Sequence, residues 1–132
     1  MRILLIHNKY GKFSGEEAVV ESQIKLLKAN GHQVVTYFRS REELEDMPKA
    51  KLKAFFSAFY NPKSIADIRA LLLDEKPDLV HIHNLFPLIS PAILPVIKTM
   101  GIPIVMTVHN YRLLCPNGLF FNKGSICEKC TG

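Results

Sequence analysis

Several features that would mark a membrane, secreted or nucleic-acid-binding protein are missing from this chain. No stretch is long and apolar enough to span a bilayer. The greasiest, residues 85–97, is interrupted by Pro87, Pro91 and Pro95 and falls short of the ~20 residues a spanning helix needs. Met1-Arg2 leads into only four apolar residues before His7, too few for the core of a secretory signal. These absences predict a cytoplasmic protein, at most one that visits the inner face of the membrane. There is no arginine-rich block and no nucleic-acid-binding motif, so no nucleic-acid partner is expected. Internal repeats and low-complexity tracts are also absent. Three cysteines, an odd number, exclude a closed disulfide framework.

What is present suits one globular α/β domain. A chain of 132 residues, 48% hydrophobic and 22% charged, with a formal net charge of +5, is long enough to bury a real core. Ile3-Leu4-Leu5-Ile6 is a continuous apolar run, as in a strand covered on both faces. After a polar loop from His7 to Ser14, Gly15-Glu16-Glu17 opens a helix with Val20, Ile24 and Leu27 at helical spacing. Asn30-Gly31 closes it with a pair suited to a left-handed cap, and residues 33–38 read as a second strand. Residues 41–46 look like a charged, solvated excursion.

From Met47 to Lys63 the chain carries Lys49, Lys51, Lys53 and Lys63 with no acid, beside Phe55, Phe56, Phe59 and Tyr60. The first expectation is a helix packing those aromatics into the core. The alternative is a surface helix making peripheral contact with anionic lipid or a lipid-linked substrate. Pro62 then starts a further helix, residues 79–83 form a third strand, and a helix over 90–100 is expected with Ser90 as cap and Pro91 at its first position. Gly101 ends that helix, and residues 103–108 form a fourth strand.

Alternating strands and helices of this kind predict a Rossmann-like, doubly wound parallel sheet. The expected order is 3-2-1-4, with the switch point between the first and fourth strands. Ligands bind at the carboxyl ends of such strands, where three loops converge: His7–Gly15, His83–Phe86 and His109–Cys115. The glycine at a helix N-terminus in the first loop makes Ser14, Gly15 and Glu16 an anion-site candidate, set against a plain turn and cap. The loop is neither GxGxxG nor a Walker loop. With no acidic residue ending the second strand, a dinucleotide-dependent oxidoreductase is disfavoured.

His81 and His83, two apart on a strand, share one face of the sheet, and His109 ends the fourth strand at the same edge. A histidine there can orient a hydroxyl, accept its proton or donate to a sugar oxygen. Cys115, Cys127 and Cys130 form C-x11-C-x2-C. Three readings stay open: free thiols, a structural zinc whose fourth ligand lies elsewhere, or redox chemistry.

Three stretches together carry a family resemblance: MRILLIHNKY…SGEE, PDLVHIHNLFPLISPAIL and GIPIVMTVHNYRLLCPNGLFF…CEKC. The chain resembles the N-terminal, acceptor-side domain of family 4 glycosyltransferases, retaining nucleotide-sugar enzymes of the GT-B fold. The resemblance implies an N-terminal Rossmann-like domain over residues 1–132, truncated before its last strands. A C-terminal domain that holds most of the nucleotide-sugar donor would be absent, leaving this piece inactive by itself. His109 would lie beside the transferring sugar. His83, Asn84, Asn110 and Tyr111 would line the acceptor side, and Ser14, Gly15 and Glu16 would approach the donor diphosphate. The acceptor implied is a glycan or lipid-linked molecule, and no cofactor is required for the chemistry. Ser14-Gly15 stands where the family often has Gly-Gly. Asn110 stands where it often has Asp, so Asn110 is expected to hydrogen-bond and not to act as a base. The rival reading is a non-catalytic Rossmann-like module that binds a sugar or phosphate and carries a structural cysteine site.

Overall fold

A computed structural model describes residues 1–9, 14–40, 42–45 and 50–130. Residues 10–13 of the first loop, Arg41 and Asp46 of the charged excursion, and Met47 and Lys49 of the basic segment lie outside the described residues. The elements are β1 (Arg2–Lys9), α1 (Gly15–Ala29), β2 (Gln33–Ser40), α2 (Glu42–Glu45), α3 (Ala50–Phe59), α4 (Pro62–Glu75), β3 (Leu79–Asn84), α5 (Ile93–Thr99), β4 (Ile104–Met106), and a small hairpin of β5 (Phe121–Asn122) and β6 (Ser125–Ile126).

β1 to β4 form one parallel sheet, an α/β arrangement of Rossmann-like type. Its order is β2-β1-β3-β4, which corrects the expected 3-2-1-4. Burial explains the difference. All but the first residue of β3 is buried, so it needs a strand on each side, whereas β2 exposes Gln33 and Thr36 and suits an edge. The long β2–β3 connection through α2, α3 and α4 carries the chain across β1. The switch point therefore lies between β1 and β3, and the carboxyl ends of those two adjacent strands become the natural site.

Leu4 and Ile6 of β1 and Val80 and Ile82 of β3 pack with Ile68 and Leu72 of α4 and Ile93 and Ile97 of α5 into the main core. The alternate residues of the same strands face the other side of the sheet, and these include His7, His81 and His83. α1 opens with a capping box: the Ser14 hydroxyl accepts from the Glu17 N–H at 3.4 Å, and the Glu17 carboxylate accepts from the Ser14 N–H at 3.0 Å. It closes as expected. Gly31, at φ +78°, sends its N–H to the Lys28 carbonyl while His32 bonds the Leu27 carbonyl, the paired bonds of a Schellman motif. Asn61 caps α4 ahead of Pro62.

Two further expectations change. α5 begins at Ile93 with Ala92 as an N-cap that makes no side-chain bond, so Ser90 and Pro91 do not start the helix. The Ile89 and Ser90 N–H groups both bond the Leu85 carbonyl, at 2.9 and 3.0 Å. Ser90, at φ +69°, closes that turn. The aromatics of α3 and Tyr60 just after it do not enter the core: Phe55, Phe56, Phe59 and Tyr60 are all exposed. Among the described residues no helix is long and apolar enough to cross a membrane.

Candidate functional site

The site grows from the carboxyl ends of β1 and β3. The two strands pair in parallel, with a register shift between Ile6 and His7 that sets His7 opposite Asn84. Beyond the shift, side chains divide between the two faces. On the core face Asn84 donates to the Asn8 carbonyl at 3.2 Å and accepts from the Phe86 N–H at 3.1 Å, while Asn8 Oδ1 accepts from the Leu88 N–H at 3.1 Å. Asn84 is buried and fastens the loop after β3, including the cis Phe86–Pro87 peptide. Its amide thus bridges β1 and that loop.

On the opposite face the histidines form a row. The His81 and His83 rings stack with centroids 4.4 Å apart, and His7 meets His83 edge-on at 6.2 Å. His83 Nδ1 and His109 Nε2 lie 2.9 Å apart, a hydrogen bond in which one imidazole donates and the other accepts. His81 Nε2 bonds the Thr107 hydroxyl at 2.8 Å. His83, His109, Asn110, Arg112 and Leu113 line a cleft of about 30 Å3, room for roughly one water.

Burial keeps the inner rings uncharged. Desolvation pushes His83 down to about 3, and His81, His109 and His7 press it the same way. Desolvation lowers His7 to about 4, although the Glu17 carboxylate pulls upward. His81 is lowered chiefly by its burial. Near neutral pH the inner rings are therefore hydrogen-bonding groups without charge. Both nitrogens of His7, Nε2 of His83 and Oε2 of Glu16 are buried with no partner among the described residues. Such groups ordinarily hold water or a ligand.

Asn110 joins this edge to α1. Its Nδ2 donates to Glu16 Oε1 at 3.0 Å, and its Oδ1 accepts from the Arg112 N–H at 3.0 Å. Tyr111 takes a different path. Its ring is exposed and lies 4.9 Å from Phe120, and its carbonyl accepts from the Cys115 N–H at 2.7 Å. It thus belongs to the turn leading into the hairpin, not to the wall beside His109.

At the proposed anion loop, the Ser14 N–H is already bonded to Glu17. Two carboxylates, Glu16 and Glu17, occupy the first turn of α1 and complement its dipole. The N–H groups of Gly15 and Glu16 have no intrahelical acceptor at a helix start, and a Cβ at Gly15 would meet nothing within 4 Å. Among the described residues the start of α1 is thus open at Gly15 and carries two acids in its first turn.

All three cysteines are free thiols. Cys115 is buried and donates its thiol to Asn117 Oδ1 at 2.9 Å, Cys127 is half-buried and Cys130 exposed. Burial raises the Cys115 thiol, but backbone N–H groups of Phe120, Asn117, Gly118 and Leu119 more than offset it and leave it below its ordinary value. Among the described residues no three His, Cys, Asp or Glu side chains form a group able to hold a metal ion.

Of the residues singled out from sequence, His83, Asn84, His109 and Asn110 line one cleft, and Glu16 joins them through Asn110. Tyr111 and the cysteines are not among its lining residues. Sequence reasoning passed over His7, Asn8 and Thr107. Their shared signal was position, each ending or following a strand at the carboxyl edge. A family model described as Glycosyltransferase Family 4 matches residues 13–124. No curated protein and no solved structure matches the chain.

Proposed function

Because the chain belongs to glycosyltransferase family 4, we propose that it forms the acceptor-side wall of an enzyme that moves a sugar from a nucleotide-sugar to a glycan or lipid-linked acceptor with retention of configuration. The observation that carries the proposal is the His83–His109 hydrogen bond at the β1–β3 switch point. With His109 Nε2 engaged by a buried neutral partner, its Nδ1 is left to bond a hydroxyl of the sugar or the acceptor. His83 fixes the ring's orientation and is a positioning residue.

Neutrality has a chemical consequence. Glycosyl transfer passes through a transition state with positive charge on the sugar ring. A fixed imidazolium close to that charge would oppose it, whereas the uncharged inner rings of His7, His81 and His83 support the edge by hydrogen bonding and packing without repulsion. Negative charge grows on the departing diphosphate, and the Gly15 and Glu16 N–H groups at the start of α1 are the backbone donors available to it. Asn110, held by Glu16, ties the two halves of this edge together.

The test is sugar transfer by the intact gene product, offered radiolabelled nucleotide-sugars and a panel of glycan and lipid-linked acceptors, with the product's anomeric configuration read by NMR. Transfer with retention is expected. Sugar or nucleotide-sugar binding without turnover would instead establish a non-catalytic binding module, and an inverted product would refute the stated chemistry.

A further inference from the structure

The carboxyl edge of the sheet holds more hydrogen-bonding capacity than the fold uses, and the surplus sits in one closed circuit of side chains. His7, near the carboxyl end of β1, meets the His83 ring edge-on at 6.2 Å. His83 bonds His109 at 2.9 Å, and the next residue, Asn110, donates to Glu16 Oε1 at 3.0 Å. Glu17, beside Glu16 in the first turn of α1, acts back on His7 through its charge. The circuit passes from β1 to β3, through the segment after β4 to α1, and returns to β1.

Among the described residues, five buried side-chain atoms have no hydrogen-bond partner, and four of them belong to this circuit: both nitrogens of His7, Nε2 of His83 and Oε2 of Glu16. His7 is 0% and His83 3% exposed. Leaving buried polar atoms unpaired is costly. A fold that gathers four of them where α/β sheets bind ligands keeps them for something that binds. His109, Asn110 and Glu16 are half-buried, so the circuit is entered from their side, with His7 and His83 as its floor.

The unpaired atoms define the ligand's chemistry. A neutral imidazole donates at one nitrogen and accepts at the other, whereas Glu16 Oε2 only accepts. A phosphate group offers acceptors and negative charge, so it would leave Glu16 Oε2 facing another anion. Two cations lie nearby, Arg112 in the wall of the cleft and Lys9, whose Nζ stands 4.9 Å over the Phe38 ring. They face two carboxylates, Glu16 and Glu17, so no excess of positive charge awaits an anion. A hydroxyl both donates and accepts, and adjacent hydroxyls on a sugar can bond a carboxylate oxygen and an imidazole together. We propose that this circuit recognises the hydroxyl groups of an uncharged sugar, with His7, His83 Nε2 and Glu16 Oε2 as the bonding atoms, and so selects a neutral acceptor over a phosphorylated one. His7 and the Glu16 carboxylate thereby become specificity-determining groups. The inference rests on the transferase reading for the sugar's role as acceptor, but the binding does not depend on it.

Titration of the full chain, with the imidazole nitrogen shifts read by NMR, tests the proposal without turnover. The probes are the methyl α-glycosides of glucose, galactose and mannose, and inorganic phosphate. At least one glycoside is expected to shift the His7 and His83 nitrogens saturably, and phosphate is expected to leave them unmoved. Glu16→Gln keeps an oxygen for Asn110 but replaces the unpaired oxygen with an amide donor, and should weaken glycoside binding by about tenfold or more. His7→Phe should weaken it by a similar factor while the His109 nitrogen shifts report an intact bond to His83. Saturable shifts with phosphate and with no glycoside overturn the proposal. So does the absence of any saturable glycoside shift at the two rings, and so does glycoside binding that both variants leave within about twofold of wild type. Glycoside binding by a chain whose gene product transfers no sugar would leave the subsite standing and defeat the transferase reading. Sugar transfer that neither variant impairs would do the reverse.

Discussion

Lowering the pH from 7.5 to 5 should destabilise this domain far more than its surface charge would suggest. His7 and His83 ordinarily titrate at 6.5, but burial holds them at about 4 and about 3 in the folded state. In the unfolded chain both regain the ordinary value and take up protons as the pH falls below 6.5, while the folded chain does not. Stability is therefore complete above that value and is lost progressively as pH falls toward the folded values. At pH 5 each ring costs about 2 kcal/mol, taking about 1.4 kcal/mol per pH unit. Together they remove about 4 kcal/mol, a large share of the 5–15 kcal/mol typical of a domain. His81, lowered by its burial, adds a loss of the same sign. Glu43, held low by the Arg39 guanidinium, titrates below this window and does not contribute. With a urea slope of about 2 kcal/mol per molar, the denaturation midpoint should fall by about 2 M between pH 7.5 and 5. His7→Phe keeps an aromatic ring against Phe38, 6.1 Å from the present imidazole, and should halve the shift. A midpoint that moves by less than about 0.5 M would refute the neutral, buried assignment of these rings.

Three further outcomes follow from particular contacts. Ser64 is fully buried, donates to the Leu88 carbonyl at 2.9 Å and accepts from Arg39 Nη1 at 3.1 Å. Ser64→Ala should therefore cost about 2–3 kcal/mol in urea denaturation by leaving a buried guanidinium N–H unpaired, and a cost under about 0.5 kcal/mol would contradict the network. Ser14→Ala removes half of the α1 capping box and should cost about 1 kcal/mol, with hydrogen exchange rising first at the Glu17 amide. In thiol labelling with a disulfide reagent, Cys130 should react at once and Cys115 far more slowly, because burial outweighs its lowered pKa; simultaneous modification of all three thiols would show the segment around Cys115 to be open.

The alternation of strands and helices was legible because apolar runs, caps and glycines act locally. Ser14, Gly31 and Pro62 each sit where their own chemistry puts them. Strand order was not legible, because it depends on how a whole strand is covered. The exposed Gln33 and Thr36 in β2, set against the buried run of β3, are the trace that order leaves in sequence. At the site, His83 and His109 were readable from strand-end position. Their hydrogen bond required knowing that the two strands are neighbours, and the same is true of His7. Asn84 adjoins the same cleft as His83, but that its amide also bonds Asn8 and Phe86 could not be read from adjacency. Ser90 was misread because its local cap signal yields to the turn closed on the Leu85 carbonyl. For the α3 aromatics the surface reading holds over core packing, because burial preference describes an average and this helix departs from it.

The central claim is that His109, oriented by His83, bonds a hydroxyl of the transferring sugar or its acceptor, and sugar transfer by the intact gene product bearing His109→Ala tests it most directly. With folding verified by an unchanged urea midpoint at pH 7.5, the variant should lose about a hundredfold or more in transfer rate. His83→Phe, which removes the 2.9 Å bond and leaves His109 in place, should lose an intermediate amount. A His109→Ala rate within about threefold of wild type, too small a loss for a group bonded to the reacting sugar, would contradict the account.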